Sequence, residues 1–139
     1  TYTVGNYKYV VTNLKKKTVT VSGLKKKTLK KITINNTVKI QGQTFKITTI
    51  GVSAFKGSKK LKTVSLKCKY LTSIGKNAFN NCKVLKGITI KSKNLKKVGK
   101  GAFKGIHKNA KIRVPKTRLS KYKKLLKGKG QKKTVKITK

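Results

Sequence analysis

The sequence predicts a short, β-rich α+β repeat solenoid, a stack of coils closed at each end by a cap. Three observations predict it. Residues Ile50–Ser73, Ile74–Lys97 and Val98–Lys121 superimpose without gaps at a period of 24. The columns of that alignment hold: Gly51, Gly75, Gly99; Ala54, Ala78, Ala102; Phe55, Phe79, Phe103; Leu71, Leu95, Leu119. Each block also carries one apolar–polar alternation, at Val64–Leu66, Ile88–Ile90 and Ile112–Val114, the mark of a strand with one buried face. One block cannot bury its own apolar face, so the blocks must stack.

Each element follows in order. Tyr7–Thr12 and Thr18–Ser22 read as a strand pair closed by Gly23, an amino-terminal hairpin cap over residues 1–28. Lys31–Asn35 repeats the strand signal, with Ile32 and Ile34 inside. From Ile34 to Ile50 is 16 residues, where the corresponding step from Leu66 to Ile74 or from Ile90 to Val98 is 8. The surplus fits a hairpin near 38–47, Val38–Ile40 and Phe45–Ile47 around Gln41–Thr44. Across residues 29–121 the repeat strands point Thr63, Ser65, Gly87, Thr89, Lys111 and Arg113 outward. A second short extended segment enters each following block at Ile74 or Val98. The glycine of each block then permits a tight corner, and the Ala-Phe pair opens a short helical or 3₁₀ turn with Phe as the core plug. Leu119, Tyr122 and Leu126 recur at helical spacing between Pro115 and Gly128, which predicts a helix over Lys116–Lys127. Thr134–Thr138 is a last strand, so 116–139 reads as a helix-plus-strand cap. The period lies within the 20–29 residues of leucine-rich repeats, here a right-handed coil.

Charge narrows the chemistry. Lys and Arg total 40, Asp and Glu total 0, and the formal net charge is +40. Without carboxylates there is no acid/base pair, no Asp-anchored triad and no calcium or magnesium cage, so an enzyme is not expected. No ion pair is possible beyond one to the C-terminal carboxylate, and self-repulsion should lower stability at low salt. Hydrophobic residues at 35% would by themselves suggest disorder; the repeat reverses that inference. Only Arg113 and Arg118 are arginine. Lysine is a hydrated point charge rather than a bidentate fork, so the surface should attract polyanions without reading their sequence. No segment approaches the length of a membrane span. The chain begins at Thr1, which reads as a mature form, a fragment or an excised domain.

The run IGKNAFNNCKVLKGITI, Ile74–Ile90, resembles the BspA-type leucine-rich repeats. The stretch from Ala102 to Thr138 is similar to the carboxy-terminal ends of such proteins on gut and oral bacteria. The likeness covers roughly residues 29–139. It implies an extracellular or bacterial cell-surface location, with signal and anchor outside this chain. It also implies no catalytic activity, and binding or adhesion to host or microbial surfaces.

The candidate binding residues lie on the outward strand face. Lys62 aligns with Lys86 and Lys67 with Lys91, and Lys111 and Arg113 sit on the third rung. A diffuse footprint competes with a site on that face, because Lys59 with Lys83, Lys69 with Lys93 and Lys97 with Lys121 form columns elsewhere. The expected partners are anionic polymers: glycosaminoglycans and other sulfated glycans, mucin, teichoic acid, nucleic acid and anionic membrane surfaces. The alternative function is a supercharged polycation, natural or engineered, that binds nucleic acid, breaks membranes or enters cells. No cofactor, metal or small-molecule substrate is expected, and the chain reads as a monomer. His107 shares the column of Lys59 and Lys83 and reads as exposed and inert. Cys82 shares the column of Ser58 and Ile106 and reads as a small core residue; Cys68 aligns with Ser92. The two cysteines permit one disulfide and fit equally well as buried thiols. Tyr2, Tyr7, Tyr9, Tyr70 and Tyr122 could stack bases or sugars, but are expected mostly to pack in the caps, Tyr122 on the apolar stripe of its helix.

Overall fold

The computed structural model describes all 139 residues. An amino-terminal meander holds β1 (Tyr2–Val4), β2 (Tyr7–Asn13) and β3 (Thr18–Leu24). Next come β4 (Lys31–Ile34), β5 (Thr37–Ile40) and β6 (Gln43–Ile50). The repeats supply β7 (Thr63–Leu66), β8 (Ser73–Ile74), β9 (Gly87–Ile90), β10 (Lys97–Val98) and β11 (Lys111–Arg113). The chain closes with a 3₁₀ turn (Lys116–Arg118), helix α1 (Leu119–Leu126) and β12 (Lys136–Thr138).

The strands form two sheets. One runs β4-β7-β9-β11-β12 with every pair parallel. Its register places Ile32, Val64, Ile88, Ile112 and Ile137 in one column, and the first four are buried. The other runs β1-β2-β3-β6-β8-β10, with β5 added to β6. Between the sheets lies one apolar core of 34 buried residues. The fold is thus a β-solenoid of stacked coils with a single short helix near its carboxy end, as the repeat predicts.

Local chemistry explains the coils. Ser53, Asn77 and Gly101 all have positive φ, as do Gly57, Asn81 and Gly105. Each coil therefore has two left-handed positions, one on either side of its Ala-Phe pair, occupied by residues that tolerate that conformation. Between them the segment makes the short turn expected: Ala54, Ala78 and Ala102 donate back to Gly51, Gly75 and Gly99 in i→i−3, 3₁₀-type hydrogen bonds, and it does not extend into a helix. It still joins the coil-to-coil ladder: the Phe55 N–H donates to the Ala78 carbonyl and the Phe79 N–H to Ala102, each at 2.8 Å. Of 77 backbone hydrogen bonds, 41 lie outside the regular elements, so the corners are laddered as well as the strands. Phe55 and Phe79 pack tilted, with centroids 5.4 Å and planes 32° apart, and Phe79 and Phe103 stack at 5.7 Å with planes 5° apart.

The repeat glycines have a different reason from the one expected. None of Gly51, Gly75 and Gly99 has positive φ. A Cβ on Gly75 would stand 2.6 Å from the Val52 nitrogen, and one on Gly99 would stand 2.4 Å from the Lys76 nitrogen. These glycines let successive coils touch backbone to backbone.

The ends differ from the expectation in detail. β2 and β3 do form an antiparallel hairpin, but β3 also pairs in parallel with β6 and so continues the coil sheet. An extra strand, β1, folds back on β2 through Gly5-Asn6. The β5–β6 hairpin closes on two residues, Gln41 and Gly42, both at positive φ, the signature of a type I′ turn. The terminal helix has eight α-helical residues behind its 3₁₀ turn, shorter than the sequence suggested. Tyrosine hydroxyls serve both caps. Tyr7 accepts the Thr33 N–H of β4 at 2.9 Å. Tyr122 accepts the Leu95 N–H at 3.0 Å and donates to the Ser92 carbonyl at 2.8 Å. Burial raises the pKa of both phenols. Tyr9, buried beside Tyr7, is pushed up to about 12, first by burial and then by its neighbour.

Candidate functional site

Every lysine is exposed except Lys129, which is half-buried. The cations thus stand outside a dry core, and their distribution follows from the register. Across the β4-β7-β9-β11-β12 sheet, one outward row reads Lys31, Thr63, Gly87, Lys111, Lys136. The next reads Thr33, Ser65, Thr89, Arg113, Thr138. The middle rungs are short and uncharged; the outer rungs carry the long cations.

Three open depressions lie on this face. One of about 720 Å³ is lined by Lys62, Thr63, Lys86, Gly87, Asn109 and Lys111, with Val84. A second, of about 250 Å³, adds Thr89 and Arg113 to Lys86, Gly87 and Lys111. The third, of about 470 Å³, joins Thr89 and Arg113 to Lys91, Lys93 and the chain end at Lys139. Five of the six residues expected from the sequence are therefore brought together: Lys62, Lys86, Lys91, Lys111 and Arg113. Lys67 is exposed at the end of β7, its N–H donated to the Ile34 carbonyl, and lines none of the three. Lys93, Asn109 and Lys139 were missed. Lys139 enters because β12 pairs with β11, a contact that no short-range pattern encodes.

A furrow of about 440 Å³ runs along Gly51, Gly75 and Gly99 on the other sheet, with Lys76, Lys97 and Lys100 in its lining. The other chemistry-bearing residues are held in structural roles. Cys68 and Cys82 are free, buried thiols, pushed up by burial to about 12 and about 11. The Cys82 thiol donates to the Phe55 carbonyl at 3.1 Å, as the Ser58 hydroxyl does at 2.7 Å. His107 is half-buried rather than exposed, and its Nδ1 accepts the Asn109 N–H at 3.0 Å. Tyr70 lies under Lys46 and Lys69, whose ammonium groups are 4.8 and 5.3 Å from its ring centre. Arg118 donates through Nε to the Lys93 carbonyl. No group of three His, Cys, Asp or Glu side chains comes together to hold a metal ion. No helix is long and apolar enough to cross a membrane.

Stacked 24-residue coils, a parallel ladder with an inward Ile/Val/Leu column and a Phe-lined turn define a leucine-rich-repeat solenoid. The chain belongs to the BspA-type leucine-rich-repeat family, whose model matches residues 24–139 in six copies. Among curated proteins, none matches it in sequence. Two solved structures are similar. A leucine-rich cell surface protein from Faecalibacterium prausnitzii A2-165 is 26% identical with a TM-score of 0.66, the alignment covering 83% of this chain and 36% of that one. A leucine-rich-repeat protein from Bacteroides ovatus ATCC 8483 is 22% identical with a TM-score of 0.60, covering 84% and 38%, and supports the fold. The chain spans a little over a third of either protein's length.

Proposed function

We propose that this chain is a non-catalytic binding and adhesion module, displayed on a bacterial surface or secreted, that holds anionic polymers by electrostatics. The observation that carries the reading is a solenoid bearing 40 cations and no side-chain carboxylate, with nearly every cation exposed. Polymers that condense counterions release them on contact with such a surface, and that release drives binding. The similar cell surface protein and the family support the location. The lack of carboxylates, and of any exposed nucleophile poised beside a base, supports a non-catalytic role. The module acts as a monomer.

Heparin and DNA binding across a salt series tests this. Log affinity should fall steeply and linearly with log salt. A slope near zero, or a strong preference for one DNA sequence, would overturn it. The complete absence of acids favours a second reading, a polycation that disrupts membranes. Leakage from anionic vesicles at the concentrations that bind them would select that reading; binding without leakage selects adhesion.

A further inference from the structure

The basic face is not evenly basic. The three depressions share residues: Gly87 and Lys111 belong to the first and second, Thr89 and Arg113 to the second and third. They form one trough that follows β9 from Lys86 to Lys91, about 17 Å at the rise of a strand. Its floor is the outward side of β9, Gly87 and Thr89, flanked on one side by Lys62 at the entry to β7 and on the other by Lys111 and Arg113 of β11, two rungs or roughly 10 Å apart.

Gly87 is unlike the repeat glycines. Its φ is not positive, and a Cβ there would meet nothing nearer than the Thr63 methyl at 4.0 Å. Neither backbone nor packing requires glycine, and its effect is to leave the floor open. The walls carry separate ammonium groups and Arg113, whose planar fork suits a tetrahedral anion. The floor and rim offer hydroxyl and amide groups from Thr63, Thr89 and Asn109. No aromatic ring lines the trough, so it lacks the stacking platform of a single-strand nucleic-acid binder. A polyhydroxylated ring chain with pendant sulfates matches both surfaces.

We propose that this trough seats one strand of a sulfated polysaccharide, with sulfates on Lys86, Lys111 and Arg113 and ring hydroxyls on Thr63 and Thr89. The inference rests on the electrostatic reading and adds a place and a ligand class to it.

The test measures heparin hexasaccharide affinity at about 0.15 M salt, a Debye length of roughly 8 Å. G87L leaves the charge unchanged and should weaken binding about tenfold or more, with the thermal midpoint held. K111Q/R113Q should do the same, whereas K56Q/K104Q, an equal charge loss on the Ala-Phe turns, should cost only about twofold. If G87L fails to fold, the two charge pairs still decide the matter. Wild-type binding that falls equally in all variants overturns the trough and leaves the electrostatic reading standing. No hexasaccharide binding at any salt overturns both. A single-stranded oligonucleotide of matched charge that binds as tightly and is equally blocked by G87L overturns the choice of a glycan.

Discussion

Gly75 and Gly87 lie in the same coil and do opposite things. At Gly75 the preceding coil's backbone comes so close that a Cβ would stand 2.6 Å from the Val52 nitrogen. At Gly87 the same atom would find its nearest neighbour at 4.0 Å. The first glycine closes the molecule and the second opens it. Around Gly75 the wall is built for coil-to-coil contact, with left-handed turns, packed Phe rings and the buried Cys82 thiol on the Phe55 carbonyl. Around Gly87 the sheet is complete beneath, and the side chains above it are free to meet a ligand. In a repeat protein, the glycine that recurs belongs to the fold, and the glycine that breaks a column is available for function.

The comparison can be tested from the closed side first. Phe79→Ala removes the middle ring of the stack and should cost about 3–5 kcal/mol by denaturant unfolding, enough to threaten the whole domain. Gly75→Ala forces a methyl group against the neighbouring backbone and should cost about 1–3 kcal/mol. A loss under about 0.5 kcal/mol would end the claim that the corner is closed by backbone contact.

The thiols report on dryness. Burial raises Cys68 from 9.0 to about 12 and Cys82 from 9.0 to about 11. The folded chain therefore keeps protons that the unfolded chain releases. The contribution to stability is intact below the unfolded value and is lost as pH rises through the folded ones. Wild type should lose more stability on alkaline titration than C68S/C82S, which places at each site the Ser already found at Ser92 and Ser58. Thiol reagents at neutral pH should label neither cysteine until the chain unfolds; ready labelling of Cys82 would mean that the corner breathes.

The smallest effect belongs to the open side. Gly87→Ala should leave stability within about 0.5 kcal/mol or raise it slightly, because the backbone there is ordinary and the alanine restricts the unfolded chain. A loss as large as that of Gly75→Ala would erase the distinction.

Much of the architecture was legible because a repeat writes the same constraint several times. The strands at Val64, Ile88 and Ile112, the Phe plug, the inserted hairpin and Tyr122 on the inner side of its helix all followed from columns and spacing. The left-handed positions were less visible, since Ser53, Asn77 and Gly101 look unrelated as residues and share only a tolerance of positive φ. Strand β1 was missed because three exposed residues carry no inward pattern. His107 was read from its lysine column as exposed, but its backbone N–H donates to the Leu85 carbonyl of the adjoining coil and the residue is half-buried. Five of the cations that line the depressions were legible as outward residues of the repeat, whereas the depressions themselves were not, because they depend on a side chain that is absent at Gly87.

The amino-acid order alone determined the period, the side each residue faces and the single sign of the surface charge. These depend on local sterics and on apolar burial repeated at a fixed spacing. Only the stacked structure decided which glycine touches backbone and which leaves space. It also decided that β3 joins the coil sheet and that Lys139 lies beside Arg113 and Lys91. Those outcomes rest on distances between atoms one or more coils apart in the chain, where a difference of an ångström separates a clash from a cradle.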